Sequence, residues 1–352
     1  MKNEFIAPDY YEDFMCKCGE CRNSCCLGWP ISVSMKEYFN LIGIECSDKL
    51  HHEIECALHL RDEPESGDYA VISQNWLGDC PMHGKDGLCA LQRECGEGVL
   101  PRLCRVYPRR LEAAGGLKKA VCSNSCEKVI ELMMNRETPL SFGKIYIDAE
   151  PEITRDIDVG FILYEYDALK TLRRRSLPLS ERLRIICGFP CVNAGNDTAS
   201  SALCVLSGML LSMSENSASL SRFGADSFRR YSGSGAFERY IKDSERLSAL
   251  MPDLESAYEN ILANHMFYED FPLSDERIAA RDERLSLAAV YAVLRFVTVG
   301  YMAERSERSD FADAAAGAFR FIEHTAFYLN AAAALHAVKL ADENAAAALL
   351  LL

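Results

Sequence analysis

The feature that most constrains this chain is the placement of its cysteines. Thirteen of the sixteen lie between Cys16 and Cys126, and the rest of the sequence holds only Cys187, Cys191 and Cys204. Met1–Tyr11 carries acids and a proline where a secretory signal needs an uninterrupted apolar run, so the expectation is a cytoplasmic chain with reduced thiols. Clustered thiols in that setting bind metal more readily than they form disulfides. Turn residues interrupt the same stretch at Gly19, Gly28-Trp29-Pro30, Pro64 to Gly67, Gly84 to Gly87 and Gly96 to Gly98. Residues 1–150 therefore read as a loop-rich, cysteine-ligated metal module, one that depends on its metal to fold.

The spacings narrow the chemistry without deciding it. Cys18-x2-Cys21 gives the short bite common to zinc and iron–sulfur ligation, and Gly19 and Gly28 permit a tight turn around a metal. Adjacent Cys25 and Cys26 do not both reach one small ion in relaxed geometry, so either one packs or they face different centres. Cys80-Pro81, Cys89, Cys95, Cys104, Cys122 and Cys126 add ligands from separate segments. Zinc and iron–sulfur both accept four thiolates, and spacing leaves the two open. The Cys-x3-Cys-x2-Cys run of radical S-adenosylmethionine chemistry is missing, because Cys21-x3-Cys25, Cys122-x3-Cys126 and Cys187-x3-Cys191 are followed by Gly28, Val129 and Ala194.

Elsewhere the patterning is helical. Ser34-x2-Glu37 fits a capping box opening a helix that extends toward His59, and a second helix is predicted over Ser125–Asn135. Ser141–Asp158 reads as a connector or strand pair. Beyond it, Leu254, Ala257, Tyr258, Ile261 and Leu262, and Phe311, Ala314, Ala315, Ala318 and Phe319, repeat at three and four residues. Residues 151–352 are thus expected to form a helical bundle domain, and the fold class is mainly α. The segment Asn193–Gly235 reads as looser, with one helix near Leu203–Met213. Ser232-Gly-Ser-Gly235 follows no strand and is taken as a loop, not a nucleotide turn. Leu287–Gly300 carries Arg295 and Thr298 and falls short of the ~20 residues that span a bilayer, so it reads as a buried core helix and no membrane insertion is expected. The net charge of -14 opposes binding to nucleic acid and suits a lysine-bearing protein partner.

Phe14, Cys16, Cys21, Cys25, Cys26, Gly28 and Trp29 resemble the opening motif of the flagellin lysine-N-methylase family. The resemblance continues through Cys80-Pro81, Leu88-Cys89, Gly96-Glu97, Cys104-Arg-Val-Tyr-Pro108-Arg109 and Cys126-Glu127. Weaker matches follow at Tyr258–Leu262, Tyr291–Gly300 and Ile322-Glu323-His324. The cysteine plan is also similar to small CxxCxxxCC proteins described as zinc or iron chelating. The family resemblance implies methyl transfer from S-adenosylmethionine to lysines of flagellin by an enzyme with a [4Fe-4S] cluster. It implies eight metal-site cysteines: Cys16, Cys21, Cys25, Cys26, Cys80, Cys89, Cys104 and Cys126. Cys18 stands where the family pattern has glycine or a small residue.

Lysine must be neutral and aligned to attack a methyl donor. Tyr10, Tyr11, Tyr107, His83 and Trp76 are candidates for an amine-receptive aromatic pocket, with packing around the metal as the commoner role. Arg105 and Arg109 flank Cys104 and are the cofactor-binding candidates, either on the donor's carboxylate or balancing an anionic cluster. Asp79, Glu97 and Glu127 are candidate bases or surface acids, and His265 and His324 read as packed helix-face histidines. The competing functions are a zinc or iron-binding protein without catalysis and an iron–sulfur redox carrier.

Overall fold

The structure, a computed structural model, describes residues 2–27, 29–76, 78–114, 116–151, 153–155, 167–191, 196–272 and 278–352. Gly28 of the opening motif, the end of the Ser141–Asp158 segment and the start of the Asn193–Gly235 segment lie outside the described residues. The strands are β1 (Asn3–Pro8), β2 (Ile31–Val33), β3 (Leu58–Leu60), β4 (Ala70–Ile72), β5 (Arg109–Ala114), β6 (Leu117–Cys122), β7 (Phe142–Ile147) and β8 (Ile153–Arg155). The helices that bear on the argument are α1 (Met35–Ile42), α2 (Asp48–Ala57), α3 (Ala90–Cys95), α4 (Arg102–Val106), α5 (Glu127–Met134), α6 (Leu179–Cys187), α7 (Asn196–Ser214), α8 (Ala218–Arg230), α9 (Ala236–Leu250), α10 (Leu254–Glu269), α11 (Ala280–Met302), α12 (Arg308–His324), α13 (Phe327–Ala337) and α14 (Glu343–Leu349). The chain is mainly helical, as expected. It divides into a cysteine unit, Met15–Arg109, and a helical unit, Met1–Phe14 with Arg110–Leu352. The boundary read near residue 150 falls inside the helical unit.

In the cysteine unit, β2 and β3 flank β4 in an antiparallel sheet, with Ser32 opposite Val71 and His59 opposite Val71. Alternation sends Ile31, Val33, Ala70 and Ile72 inward, where they meet Leu41 of α1 and Leu50 and Ile54 of α2. The capping box at Ser34 and Glu37 is present. The single helix expected toward His59 is instead two. Gly43 terminates α1, and the Ser47 hydroxyl accepts the Leu50 N–H to start α2, so local stop and start signals outweigh the continuing apolar pattern.

In the helical unit five strands form one sheet in the order β7-β1-β6-β5-β8. β1 runs antiparallel to β7, with Phe5 opposite Ile145, and parallel to β6. The junction strands β7 and β8 therefore occupy opposite edges instead of pairing with each other. Of the looser Asn193–Gly235 segment, the helix expected near Leu203–Met213 lies within α7, and α8 adds a second helix that was not expected. α11 is the only described helix long and apolar enough to cross a membrane, and 89% of its apolar window is buried inside the fold. It is the core helix read from Leu287–Gly300. Close packing is set by small residues: a Cβ on Gly300 of α11 would lie 2.1 Å from Ser227 Oγ of α8, and one on Gly317 of α12 would lie 2.2 Å from the Phe223 ring. Arg182 of α6, itself buried, bonds the buried Glu259 of α10, which also takes Arg175 at 3.0 Å.

Candidate metal centre

Backbone pairing brings distant cysteines together. Leu27 and Asp79 form an isolated antiparallel bridge, and the Cys80 N–H donates to the Cys26 carbonyl at 2.8 Å. A second bridge joins His83 to Cys89, supported by the Ala90 N–H on the Met82 carbonyl at 2.8 Å. Cys89 is the residue that begins α3, and Cys104 lies within α4. The outcome is a cavity of about 110 Å³ lined by five of the eight family cysteines, Cys25, Cys26, Cys80, Cys89 and Cys104. Trp29 and Tyr107, with ring centroids 5.5 Å apart, and Leu100 form part of its wall.

Electrostatics single out four of these thiols. Burial pushes the Cys80 thiol up to about 12, and charge on Cys26 and Cys89 pushes the same way. Burial also raises Cys89, with Cys26 adding to it, and raises Cys104, on which Cys26, Cys80 and Cys89 all act. Four sulfurs that feel one another's charge are costly to ionise together. The backbone offsets part of that cost: the amides of Met82 and His83 favour the thiolate of Cys80, and those of Leu91 and Gln92 favour that of Cys89. Such donors stabilise thiolates and tune thiolate-bound metal. Among the described residues no three His, Cys, Asp or Glu side chains are drawn together closely enough to hold a metal ion as they stand. The thiols surround a void rather than meet at a point.

The other predicted residues are dispersed. Cys16 and Cys18 lie on an exposed loop, where the Cys18 N–H reaches the Cys16 sulfur at 3.3 Å. Half-buried Cys21 does not line the cavity, and Cys126 belongs to the helical unit, where it begins α5. Gly19 is explained by a close approach: a Cβ there would lie 2.9 Å from the Asp86 carbonyl, in the loop that also holds Gly87. Of the aromatic candidates only Tyr107 lines the thiol cavity. Tyr10 and Tyr11 are core residues of the helical unit, and Trp76 is 90% exposed. Arg105 lines a separate cavity, and Arg109, exposed at the start of β5, lines neither. Glu127 is buried in α5, and Asp79 is engaged through its backbone in the bridge.

The helical unit contains a polar network that the sequence reading treated only as packed histidines. Ser123 Oγ donates to Glu323 Oε2 at 2.5 Å, and His265 Nδ1 lies 3.1 Å from Glu323 Oε1. Ser125 Oγ contacts Ser123 Oγ and lies 2.6 Å from His324 Nε2. Burial pushes the His324 imidazole down to about 4. His265 is indeed buried, against the rings of Phe319 and Tyr328. The network ties the segment between β6 and α5 to α10 and α12. Its partners are far apart in sequence, and no local spacing announces them.

Residues 207–350 match the family model described as the FliB lysine N-methylase C-terminal domain. The chain is 24% identical over 140 residues to the flagellar biosynthetic protein FliU of Salmonella muenchen, covering 39% of this chain and 80% of that protein. It is 25% identical over 131 residues to the lysine-N-methylases of Salmonella choleraesuis and Salmonella typhimurium, covering 36% of this chain and 32% of each. The match thus spans about a third of the length of those two lysine-N-methylases. No solved structure matches the chain. The matched domain lies in the helical half, where the sequence motifs were weakest, and outside the cysteine plan.

Proposed function

We propose that this chain, whose residues 207–350 match the lysine N-methylase C-terminal domain, methylates lysine side chains of flagellin in the cytoplasm, using S-adenosylmethionine, and that its thiol cavity holds a [4Fe-4S] cluster. The domain match carries the methyl-transfer reading, and the flagellar name of one relative supports the substrate. The cavity supports the cluster through its donor chemistry: soft thiols from four chain segments, nearby backbone amides that favour two of the thiolates, and an apolar wall. Cys26, Cys80, Cys89 and Cys104 are the four that would hold it, with Cys25 beside them.

The bound cluster would tie together loops that the small core of this unit leaves otherwise unsupported. In the reaction the lysine ammonium first gives up a proton. Its nitrogen then forms a bond to the donor's methyl carbon as the carbon–sulfur bond breaks. The protein's contribution is to align the two and to exclude water.

Anaerobically purified protein with its iron loaded, incubated with S-adenosylmethionine and flagellin, is expected to add methyl-sized mass increments on lysine-containing peptides. Loaded protein that adds no mass would overturn the reading. Zinc in place of iron and sulfide, with no mass gain, would establish the metal-binding alternative instead.

A further inference from the structure

The second cavity of the cysteine unit, about 560 Å³, shares Leu100 with the thiol cavity and is large enough for a nucleoside-sized ligand. Its lining is chemically mixed. Lys36, Arg102 and Arg105 contribute cations, Glu37 a carboxylate, and Phe39 an aromatic ring that is 58% exposed. Glu37 is held in place from both sides: Oε2 accepts the Ser34 N–H at 2.9 Å, and Oε1 accepts the Arg102 N–H at 2.5 Å, linking α1 to α4. Burial opposes its charge, but the hydrogen bonds from Ser34 and Arg102 outweigh it and keep the carboxyl below its ordinary range. Among the described residues Arg105 and Lys36 line the cavity with no ion pair to an acid, in a chain whose net charge is -14. Where acids outnumber bases, two such cations beside an aromatic face and a fixed carboxylate mark a site for a zwitterion bearing a flat ring.

α4 serves both cavities. Cys104 lines the thiol cavity, while Arg102 and Arg105, on the same short helix, line the other. Arg105 does not face the thiols and is therefore poorly placed to balance an anionic cluster.

Building on the donor-dependent reading above, we propose that this second cavity binds the methyl donor, an amino-acid-bearing sulfonium nucleoside. Arg105 and Lys36 take its carboxylate, Phe39 takes its base, and the metal group on Cys104 holds α4 in the binding position. Donor binding and metal occupancy are then coupled through one helix, although the two groups occupy separate cavities.

The test is calorimetric titration of S-adenosylhomocysteine, the unreactive product, into the metal-loaded full chain. Arg105→Glu and Lys36→Glu are expected to weaken binding at least tenfold while iron content and visible absorbance stay at wild-type levels. Cys104→Ser is expected to lose both metal and binding. If the wild type binds and the two charge reversals bind as tightly, the donor lies elsewhere and this site falls while the methylase reading stands. If Arg105→Glu also strips the iron, Arg105 belongs to the metal centre and the assignment is overturned. If the loaded wild type binds no nucleoside, the donor-dependent reading falls and takes the site with it.

Discussion

Among the described residues the buried apolar core of the cysteine unit holds eleven aliphatic residues and Met82, with Trp29, Tyr38 and Tyr69 only partly buried against it, whereas the core of the helical unit contains Phe5, Phe223, Tyr240, Tyr258, Phe296, Phe311 and Phe319, all almost fully buried. Apolar burial contributes roughly 25 cal/mol per Å², and large rings dominate that sum, so the helical unit has the means to hold itself together. The cysteine unit has short strands, short helices and a thiol cavity whose wall includes its core residues Ile31, Ile72, Met82, Leu91 and Leu100. On the proposed reading, a metal held by its thiols would add to the stability of this unit. The proposed cluster would stabilise this part of the chain and leave the helical unit independent of it.

Removing the metal with a chelator under anaerobic, reducing conditions tests the contrast most severely. Hydrogen exchange is expected to show protection lost across residues 15–109 while α10, α11 and α12 remain protected, a loss on the order of the several kcal/mol that metals contribute to small modules. Uniform loss in both units would break the comparison.

A smaller effect is expected from Glu259→Gln in the helical unit. That substitution strips the buried Arg182 of its main acidic partner, and breaking a buried pair costs about 3–5 kcal/mol. Denaturant unfolding should register that loss with iron content unchanged. A parallel fall in iron content would show that the helical unit governs metal retention.

The smallest expected effect is a pH dependence confined to the helical unit. Burial holds the His324 imidazole at about 4, below its ordinary 6.5. The folded state therefore favours the neutral ring, so the stability it contributes is complete above pH 6.5 and is lost as pH falls through about 4. Thermal unfolding between those values should flatten in His324→Gln, and an unchanged slope would assign the dependence to other groups.

Local signals carried much of the secondary structure. The capping box at Ser34, the heptad-like spacing of α10 and α12 and the buried character of α11 are all written in short stretches, because each depends on residues three or four apart. The two sheets were less legible. β1 pairs with β6 and β7, more than a hundred residues away, and nothing in Asn3–Pro8 names those partners. Likewise the helix expected near Leu203–Met213 is present but starts earlier, at Asn196, and the serine-rich Ala218–Arg230 forms a further helix that its composition did not announce.

For the site, the sequence alone determined that thiols concentrate in the first third, and the family resemblance implied a plan of eight. It did not determine which sulfurs meet. Tertiary structure decided that, by pairing Leu27 with Asp79 and His83 with Cys89, so that Cys26, Cys80, Cys89 and Cys104 surround one void and Cys126 falls in a different unit. It likewise separated Arg105 from Arg109, neighbours in sequence with different surroundings. The physical reason is common to both: spacing constrains only what one segment can reach, whereas convergence of segments depends on backbone pairing and burial across the whole fold.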